Sequence, residues 1–308
     1  MSRVESYSAP VVKFLSAYRA GYIHFRADDT ADGRELALAA DRMAKNRRIG
    51  IVGFGHLGQY LFKALQESED LDIAFVWNRT SSALKELVPQ QYILEDLAGF
   101  AERKPDLIVE VAHPLISSQY GEAFLAVADY MVGSPTALAD QEVEDKLKEA
   151  AKHHGLYIPS GAFWGANDIQ KMADRGTLQG LTVTMKKHPN SFKLGSPLKE
   201  KNETATDVGE TVLYEGPVRG LCPLAPNNVN TMAAAAIAAH NLGFDKVKGK
   251  LIADRSLTDW HIVEVDVTGP GSVEAGNAFT VSTVRKNPAQ VGKVTGSATY
   301  ISFLSSMQ

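Results

Sequence analysis

Three short polar clusters lie in the second half of the 308-residue chain, where folding alone would favour other residue types. They are Ser160-Gly161-Ala162, Asn227-Asn228-Val229-Asn230 and the segment from Asp254 to His261. A histidine, whose unperturbed pKa is about 6.5, can take up and return a proton near neutral pH. His261 is therefore a candidate general base, although its position alone favours a histidine that is simply hydrogen-bonded within a sheet.

A glycine-rich turn, Gly53-Phe54-Gly55-His56-Leu57-Gly58, stands between an apolar segment and a segment of helical periodicity. In a G-x-G-x-x-G turn the first glycine permits the tight turn, the second lets the backbone approach phosphates, and the third lets helix and strand pack closely. Free N–H groups and the dipole at the helix start attract a pyrophosphate. We predict that Gly53, Gly55, His56, Leu57 and Gly58 bind a nicotinamide dinucleotide, with His56 itself exposed and incidental; the alternative is a purely structural turn.

The residues after the second predicted strand bear on which nicotinamide dinucleotide is used. An acidic residue about 20 positions after the glycine turn would bind the ribose hydroxyls of NAD. Asn78 stands there instead, followed by Arg79, Thr80 and Ser81. Because no carboxylate repels a 2′-phosphate and a guanidinium can bind one, we predict that NADP is used at least as well as NAD. The alternative is that Arg79 is a solvated loop residue.

Other histidines are weaker candidates. Ala112 and His113 end a predicted strand of the first half, where ligands of open α/β sheets bind, so both are candidate cofactor contacts. His188 lies in a cationic turn that could bind a dicarboxylate, although a solvated basic loop is the favoured alternative. Both histidines rank below His261. The eight histidines and the single cysteine show no metal-ligand spacing, so no metal is predicted.

Composition limits the possible classes of protein. With 44% hydrophobic and 22% charged residues, the chain is typical of a globular protein that can bury two cores. The formal net charge of -4 is spread over both halves without a basic block, so nucleic acid is not an expected partner. No apolar run reaches about 18 residues and no signal-peptide pattern is present. We therefore predict no membrane association and a cytoplasmic location, which the single cysteine also fits.

The elements that must position these residues follow from hydrophobic periodicity. From residue 47, short apolar runs alternate with helical patterns, which indicates βαβ units and a parallel sheet. The predicted strands are Ile49 to Val52, Asp72 to Trp77, Leu107 to Ala112, Tyr130 to Gly133 and Leu156 to Pro159. The first half is thus predicted to be an α/β domain with the doubly wound parallel sheet of the Rossmann type.

The second half has a different pattern, with alternating strands and few helices. Predicted strands are Leu181 to Lys186, Val212 to Tyr214, Val247 to Ala253, His261 to Val267 and Phe279 to Val284; predicted helices are Val229 to His240 and Ser297 to Met307. We therefore predict an N-terminal extension (1–46), a dinucleotide-binding domain (47–160, with 296–308 returning to it) and an α+β, sheet-rich catalytic domain (161–295). The extension, with a possible short helix from Val11 to Leu15, is predicted to be dispensable for chemistry; its acidic residues argue against a mitochondrial presequence.

From about residue 48 nearly to its end, the chain resembles the L-aspartate dehydrogenase family. The resemblance is carried by Gly161-Ala162, by Asn228-Val229-Asn230 and by Ile252-Ala253-Asp254 preceding His261. It implies that His261 is catalytic and that Ala162 and Asn230 contact the nucleotide; Asn230 could equally be a helix N-cap. Two departures concern substrate geometry: Phe163-Trp164-Gly165 is one residue longer than the usual turn, and Asp259-Trp260 replaces an Asn-Val type pair.

The resemblance implies NAD(P)-dependent oxidative deamination of L-aspartate to oxaloacetate and ammonia through iminosuccinate, or the reverse amination. Such a site needs a cation for the distal carboxylate, and the sequence leaves Lys186, Lys187 and Arg219 as alternatives. Asp259 or Asp254 could orient the ring of His261. Competing hypotheses are a reductase of the dihydrodipicolinate or homoserine type and a sensor that binds NADP(H) without turnover. Exposed sheet in the second domain predicts a homodimer.

Overall fold

Two β-sheets organise the protein in a computed structural model that describes residues 22–25, 46–205 and 209–307. The strands of the first sheet are β1 (Tyr22–Phe25), β2 (Arg47–Val52), β3 (Leu71–Trp77), β4 (Leu107–Glu110), β5 (Asp129–Val132) and β6 (Leu156–Pro159). Their order is β1-β6-β5-β4-β2-β3, with β2 to β6 parallel and β1 antiparallel beside β6. The predicted doubly wound α/β domain is confirmed.

Helices cover both faces of the first sheet. They are α1 (His56–Gln66), α2 (Pro114–Leu125) and α3 (Gln141–Ala150), joined by α9 (Ser297–Ser305) from the end of the chain. Because consecutive strand residues point to opposite faces, Val109 of β4 belongs to one apolar cluster with Leu61 of α1 and Phe303 of α9. Its neighbour Ile108 belongs to the other cluster, with Phe124 of α2. A helix forms at the end of the chain, as predicted, and packs against the first sheet.

The second sheet is mixed and lies in the second half of the chain. Its strands are β7 (Gly180–Lys187), β8 (Glu210–Pro217), β9 (Lys248–Asp254), β10 (Trp260–Thr268) and β11 (Thr280–Pro288), in the order β11-β10-β7-β9-β8. Only the β7–β9 pair is parallel among these described strands. Its helices are α4 (Ala166–Asp174), α5 (Leu198–Glu203), α6 (Val218–Leu221), α7 (Asn230–Ala238) and α8 (Gly243–Lys246). Each predicted strand is present, whereas α4, α5, α6 and α8 are not anticipated by the sequence pattern.

Helix α7 joins the two halves of the core. All its residues from 231 to 238 are buried, and most are alanines, whose small side chains let neighbouring backbones approach closely. It contacts α4 and the 3-10 helix Pro135–Ala139 of the first domain. The apolar cluster that contains α7 extends from the first sheet into the second, so one core holds both sheets in place.

Short 3-10 helices replace an α-helix in one crossover. Between β3 and β4 the chain forms Ser81–Ala83, Gln90–Tyr92 and Leu97–Arg103; a further 3-10 helix is Pro189–Ser191. Strand β4 is also shorter than predicted, ending at Glu110 rather than Ala112. The Glu110 carboxylate accepts hydrogen bonds from the backbone N–H groups of Ala112 and His113, which turns the chain out of the sheet.

The N-terminal extension contributes one described strand, β1, at the edge of the first sheet. The predicted helix from Val11 to Leu15 lies outside the described residues. Within the described part of the chain, no helix has the length and apolar character needed to cross a membrane.

The return of α9 to the first sheet is tested by Phe303→Ala. Phe303 is only 2% exposed, and its ring approaches Gly133 after β5. Removing a buried phenylalanine side chain leaves a cavity, so we expect the free energy of unfolding to fall by about 3–5 kcal/mol in urea titrations. Ile301→Ala is the matched control, because Ile301 on the same helix is 64% exposed and should change stability by less than about 0.5 kcal/mol. Equal effects of the two variants would contradict this packing.

Candidate active site

A cleft that is partly open to solvent lies between the carboxyl ends of the first-sheet strands and one face of the second sheet. The lining residues come from both domains and from α9: Leu57, Gly133, Pro135, Pro159, Ser160, Gly161, Ala162, Met185, Lys187, Asn227, Asn228, Asn230, Thr231, His261, Val263, Asn287, Val294, Thr295, Gly296, Thr299 and Phe303. The three polar clusters singled out in the sequence each contribute to this lining.

The glycine turn adopts a geometry that requires glycine at two of its three glycine positions. Gly53 has φ +113°, and a Cβ there would lie 2.8 Å from the Ala112 nitrogen. A Cβ on Gly58 would collide with the carbonyl oxygen of Gly53. By contrast, a Cβ on Gly55 would meet nothing within 4 Å. Two glycines therefore permit close packing of the turn, and the third faces open space.

Helix α1 begins at this open space without a side-chain cap. Its N-cap is Gly55, and no side chain hydrogen-bonds to its first turn. The first N–H groups of a helix have no partner within the helix, and the dipole makes this end attractive to anions. An exposed helix start, together with the space beside Gly55, fits the pyrophosphate of a dinucleotide. His56 is exposed, as predicted, whereas Leu57 lines the cleft.

Asn78, just after β3, hydrogen-bonds to the glycine turn. Its Oδ1 accepts a hydrogen bond from Phe54 N at 3.2 Å, and its Nδ2 donates to Thr80 O at 3.0 Å. The next residue, Arg79, is exposed and has no hydrogen bond or ion pair to the described residues. The amide of Asn78 thus holds the turn, and the guanidinium of Arg79 is available to an anion.

Glu110 is a completely buried carboxylate at the end of β4 that sequence reasoning missed. Its Oε1 accepts from Ala112 N at 2.7 Å, His113 N at 2.8 Å and Ser134 Oγ at 3.0 Å, and its Oε2 accepts from Ser134 N at 2.8 Å. Burial raises the pKa of Glu110 to about 7, although these hydrogen bonds favour the ionised form. The carboxylate fixes the two loops that follow β4 and β5, and one of them packs against Gly53.

His113 does not reach the cleft. It is the N-cap of α2, and its Nδ1 accepts a hydrogen bond from Leu115 N at 3.2 Å. Its side chain lines a second cavity together with Arg219 and Cys222. Ala112 is likewise absent from the cleft lining, but its backbone borders Gly53 at the glycine turn. The structure therefore separates His113 from the other predicted cofactor contacts and gives its side chain a structural partner.

Three polar side chains on adjacent strands form a row in the cleft. His261 on β10 lies opposite Asn287 on β11. On the other side, Ile262 of β10 pairs with Lys186 of β7, so His261 and Lys187 are the next positions along these antiparallel strands. Lys187, His261 and Asn287 all line the cleft and are 2%, 4% and 3% exposed. We call these three residues the polar row.

Several polar atoms around the row are buried without a hydrogen-bond partner among the described residues. In the cleft they are His261 Nε2, Asn228 Nδ2, Asn230 Oδ1 and Asn287 Oδ1. A buried polar atom without a partner costs about 1–3 kcal/mol, and native proteins contain few of them. Their concentration in one cleft is typical of a site that binds a polar ligand.

The two ionisable groups of the polar row are perturbed in the same direction. Burial, followed by the nearby charge of Lys187, lowers the pKa of His261 to about 4. Burial lowers the pKa of Lys187 to about 7. The imidazole is therefore neutral at physiological pH, which is the form that accepts a proton.

The structure distinguishes among the cations that the sequence left open. Lys186 points away from the cleft and pairs with Glu210 at 2.8 Å and Glu264 at 3.0 Å. Arg219 forms a two-point ion pair with Asp245 at 2.7 and 2.9 Å. Lys187 alone among the three candidates lines the cleft.

Asp254 and Asp259, the two carboxylates predicted to orient the ring of His261, form hydrogen bonds with other residues, so that prediction is wrong. Asp254 accepts hydrogen bonds from Ser256, and Asp259 accepts one from Thr258. His188 caps the following 3-10 helix through a hydrogen bond from Asn190 N and does not line the cleft.

The two Asn residues of the Asn-Val-Asn segment face the cleft in different ways. Asn230 is the first residue of α7, whose N-cap is Val229, so the alternative that Asn230 caps the helix is wrong. Asn228 Oδ1 accepts a hydrogen bond from Lys193 N at 2.8 Å, which fixes the amide and leaves its Nδ2 unpartnered. Ala162 also lines the cleft, and its contact with a nucleotide stays a prediction.

The two departures from the family pattern lie outside the cleft lining. Trp164 in the longer turn and Trp260 before the histidine are both exposed. The polar row therefore forms without a contribution from either tryptophan.

Comparisons with known proteins agree with this architecture. Residues 168–306 match the protein-family model described as "Aspartate dehydrogenase, C-terminal", and residues 53–159 match "Homoserine dehydrogenase, NAD binding domain". A crystal structure of aspartate dehydrogenase from Thermotoga maritima shares the fold with a TM-score of 0.60 at 21% sequence identity, covering 85% of this chain and 94% of that one. Fold and cleft define a two-domain protein with a Rossmann-type dinucleotide-binding domain and a sheet-rich second domain.

Relatives of higher identity narrow this class to one family. An aspartate dehydrogenase domain-containing protein of Xenopus tropicalis is 56% identical over 268 residues, covering 85% of this chain and 94% of that protein. An L-aspartate dehydrogenase of Methanococcoides burtonii is 33% identical over 233 residues, covering 72% of this chain and 83% of that protein. The chain belongs to the aspartate dehydrogenase family, and the resemblance noted in the sequence is confirmed.

The role of Glu110 is tested by its removal. Glu110→Ala leaves three backbone N–H groups, one of them buried, without their acceptor, so we expect the free energy of unfolding to fall by about 3 kcal/mol in urea titrations. Glu110→Gln keeps one acceptor oxygen and should lose less. The control is Glu122→Ala on the exposed face of α2, with an expected change below about 0.5 kcal/mol. A loss for Glu110→Ala no larger than the control would contradict the role.

Proposed function

We propose that this protein is an NAD(P)-dependent L-aspartate dehydrogenase that interconverts L-aspartate with oxaloacetate and ammonia through iminosuccinate. The single observation that carries the proposal is the buried, unpartnered Nε2 of His261 beside Lys187 in a cleft between the two domains. Membership of the aspartate dehydrogenase family supplies the reaction class.

The residues that would hold the cofactor lie at one end of the cleft. The backbone N–H groups of His56, Leu57 and Gly58 at the start of α1 would bind the pyrophosphate, with Gly53 and Gly55 allowing its approach. Ala162 and Asn230 line the cleft where the nicotinamide end of the dinucleotide would extend, and Asn230 Oδ1 has no protein partner. When bound, the nicotinamide supplies the hydride acceptor for deamination and the hydride donor for amination.

The protein's own residues must then move protons. Conversion of the substrate amine to an imine removes a hydride from Cα and a proton from nitrogen, and the neutral imidazole of His261 accepts that proton. After this proton has left to solvent, His261 accepts a proton from the water that adds to the imine carbon and delivers it to the nitrogen, which gives the carbinolamine. His261 then takes the proton of the carbinolamine hydroxyl and passes it to the nitrogen as the C–N bond breaks, which gives oxaloacetate and ammonia.

Cofactor preference is a further part of the proposal. We propose that NADP is used at least as well as NAD, because Asn78 is engaged with the glycine turn and the neighbouring Arg79 is exposed without a partner among the described residues. A guanidinium in this position can form charge-assisted hydrogen bonds with a 2′-phosphate.

His261→Ala tests the proposed reaction. Oxaloacetate and ammonia are supplied with NADPH or NADH, L-aspartate with NADP or NAD, and absorbance of the reduced nicotinamide is followed. We expect wild-type turnover and a fall in kcat of about 10²–10⁴-fold in the variant, with little change in the KM for the cofactor. His153→Ala, at an exposed histidine, is the control. Unchanged turnover in His261→Ala would contradict the role of His261 as the general base. Cofactor binding by wild type without turnover of any amino or oxo acid would favour a sensor that binds NADP(H) without catalysis.

Arg79→Ala tests the cofactor preference. Loss of a charge-assisted contact with the 2′-phosphate should lower kcat/KM for NADPH by about 10–100-fold and leave kcat/KM for NADH nearly unchanged. Lys85→Ala, at an exposed lysine after the same strand, should change neither value. An unaltered NADPH to NADH ratio in Arg79→Ala would contradict the proposal.

A further inference from the structure

We propose that the polar row is the substrate receptor of this site: Lys187 binds a carboxylate of the amino acid, and Asn287 accepts a hydrogen bond from its nitrogen. The proposal rests on the proposed function, since it takes His261 between them as the group that moves the proton. It adds one residue, Asn287, that no sequence motif indicated, and it selects Lys187 among the three cations considered.

Sheet geometry places the three side chains side by side. Neighbouring strands lie about 4.8 Å apart, and side chains at paired positions point to the same face. Asn287 and His261 are paired directly, and Lys187 occupies the next position beyond the Lys186–Ile262 pair. Three adjacent groups can therefore contact adjoining groups of one small molecule, with His261 in the middle.

Lys187 is a buried cation that lacks an anion. Its Nζ donates to the Val294 carbonyl at 2.9 Å and lies 5.7 Å from the centre of the Phe192 ring. No ion pair joins it to an acid of the described residues. A charge removed from water is expensive unless it is paired, and a carbonyl oxygen and an aromatic face compensate only part of that cost. An ammonium held in this way beside a ligand cleft fits a ligand carboxylate.

Lys187 and Asn287, on opposite sides of His261, offer a donor and an acceptor. The fixed amide of Asn228 presents its Nδ2 as a further donor suited to a carboxylate. Asn287 presents an unpartnered Oδ1, which can accept from an amine or imine N–H but repels a carboxylate. Gly296 packs closely against Asn287, since a Cβ there would lie 3.1 Å from that of Asn287. The charge pattern complements an α-amino acid, with its negative group toward Lys187 and its nitrogen toward Asn287.

Substrate binding would also change the base. The charge of Lys187 is the second cause, after burial, that lowers the pKa of His261. A carboxylate that neutralises this charge raises the pKa of His261 part of the way back, so His261 becomes a stronger base when substrate is present. Burial keeps the imidazole neutral in the free protein, and a bound carboxylate increases its basicity.

Kinetics of reductive amination can test the contacts of Lys187 and Asn287 separately, because oxaloacetate supplies the carboxylate, ammonia supplies the nitrogen, and each has its own KM. Lys187→Met should raise the KM for oxaloacetate by about 10–100-fold and change the KM for ammonia and NADPH little. Asn287→Leu should raise the KM for ammonia by about 10-fold and leave that for oxaloacetate nearly unchanged. The controls are Lys286→Met and Asn190→Ala, at exposed positions. The opposite assignment, or equal effects on both substrates, would overturn the proposal.

Calorimetry on the protein with NADPH provides a readout that does not depend on turnover, because L-aspartate cannot pass a hydride to the reduced cofactor. L-Aspartate and succinate share carboxylates, but only aspartate carries nitrogen. Lys187→Met should weaken binding of both ligands, whereas Asn287→Leu should weaken that of aspartate alone. If wild type binds both ligands and the variants weaken binding as expected, but no oxaloacetate is turned over, the proposed function is wrong and the polar row is still the ligand-binding site. If neither ligand binds to wild type, the proposal that the polar row binds substrate is wrong.

Two further measurements separate a binding role from a structural one. Lys187→Met removes a buried unpaired cation, so its Tm should lie above that of wild type, whereas a structural lysine would lower Tm when replaced. The pKa of Lys187, about 7, also predicts that succinate affinity falls as pH rises above about 7, since the lysine must be protonated. The cleft's other described titratable side chain, His261, is already neutral there. A lowered Tm with a flat pH dependence would contradict the proposal.

Discussion

The position of β10 between β7 and β11 is the constraint on which the site depends. A shift of one residue in either pairing would turn a side chain of the polar row to the other face of the sheet, because the side-chain period of a strand is two. Lys186 and Lys187 illustrate this sensitivity: adjacent in sequence, they point to opposite faces, and one pairs with surface acids while the other is buried in the cleft. The chemistry therefore depends on strand register over long separations in sequence.

That arrangement carries an energetic cost that the rest of the fold must offset. A buried ammonium without an acid and several unpartnered polar atoms all destabilise the folded state. The continuous apolar cluster around α7 and the packing of α9 against the first sheet lie next to the cleft and provide the opposing stability. Glu110 acts in the same way on the cofactor side, where its hydrogen bonds hold the loops after β4 and β5.

Local patterns predicted much of this architecture. The glycine turn, the strands, α7 and the C-terminal helix have signals in periodicity and in residue type, and His261, Ala162 and Asn230 do line the cleft. What depends on tertiary contacts was missed. Nothing near Asn287 shows that β11 places it opposite His261, and no local signal distinguishes Glu110 from other strand-end acids. The usual binding of ligands at strand ends favours His113 as a cofactor contact, whereas in the structure its ring caps α2.

A crystal structure of the protein with NADP and succinate would show whether the polar row binds the substrate. We expect one succinate carboxylate within about 3 Å of Lys187 Nζ, with the ligand lying across the polar row beside the nicotinamide. A dicarboxylate bound in the second cavity, beside His113 and Arg219, with the polar row empty, would contradict this expectation.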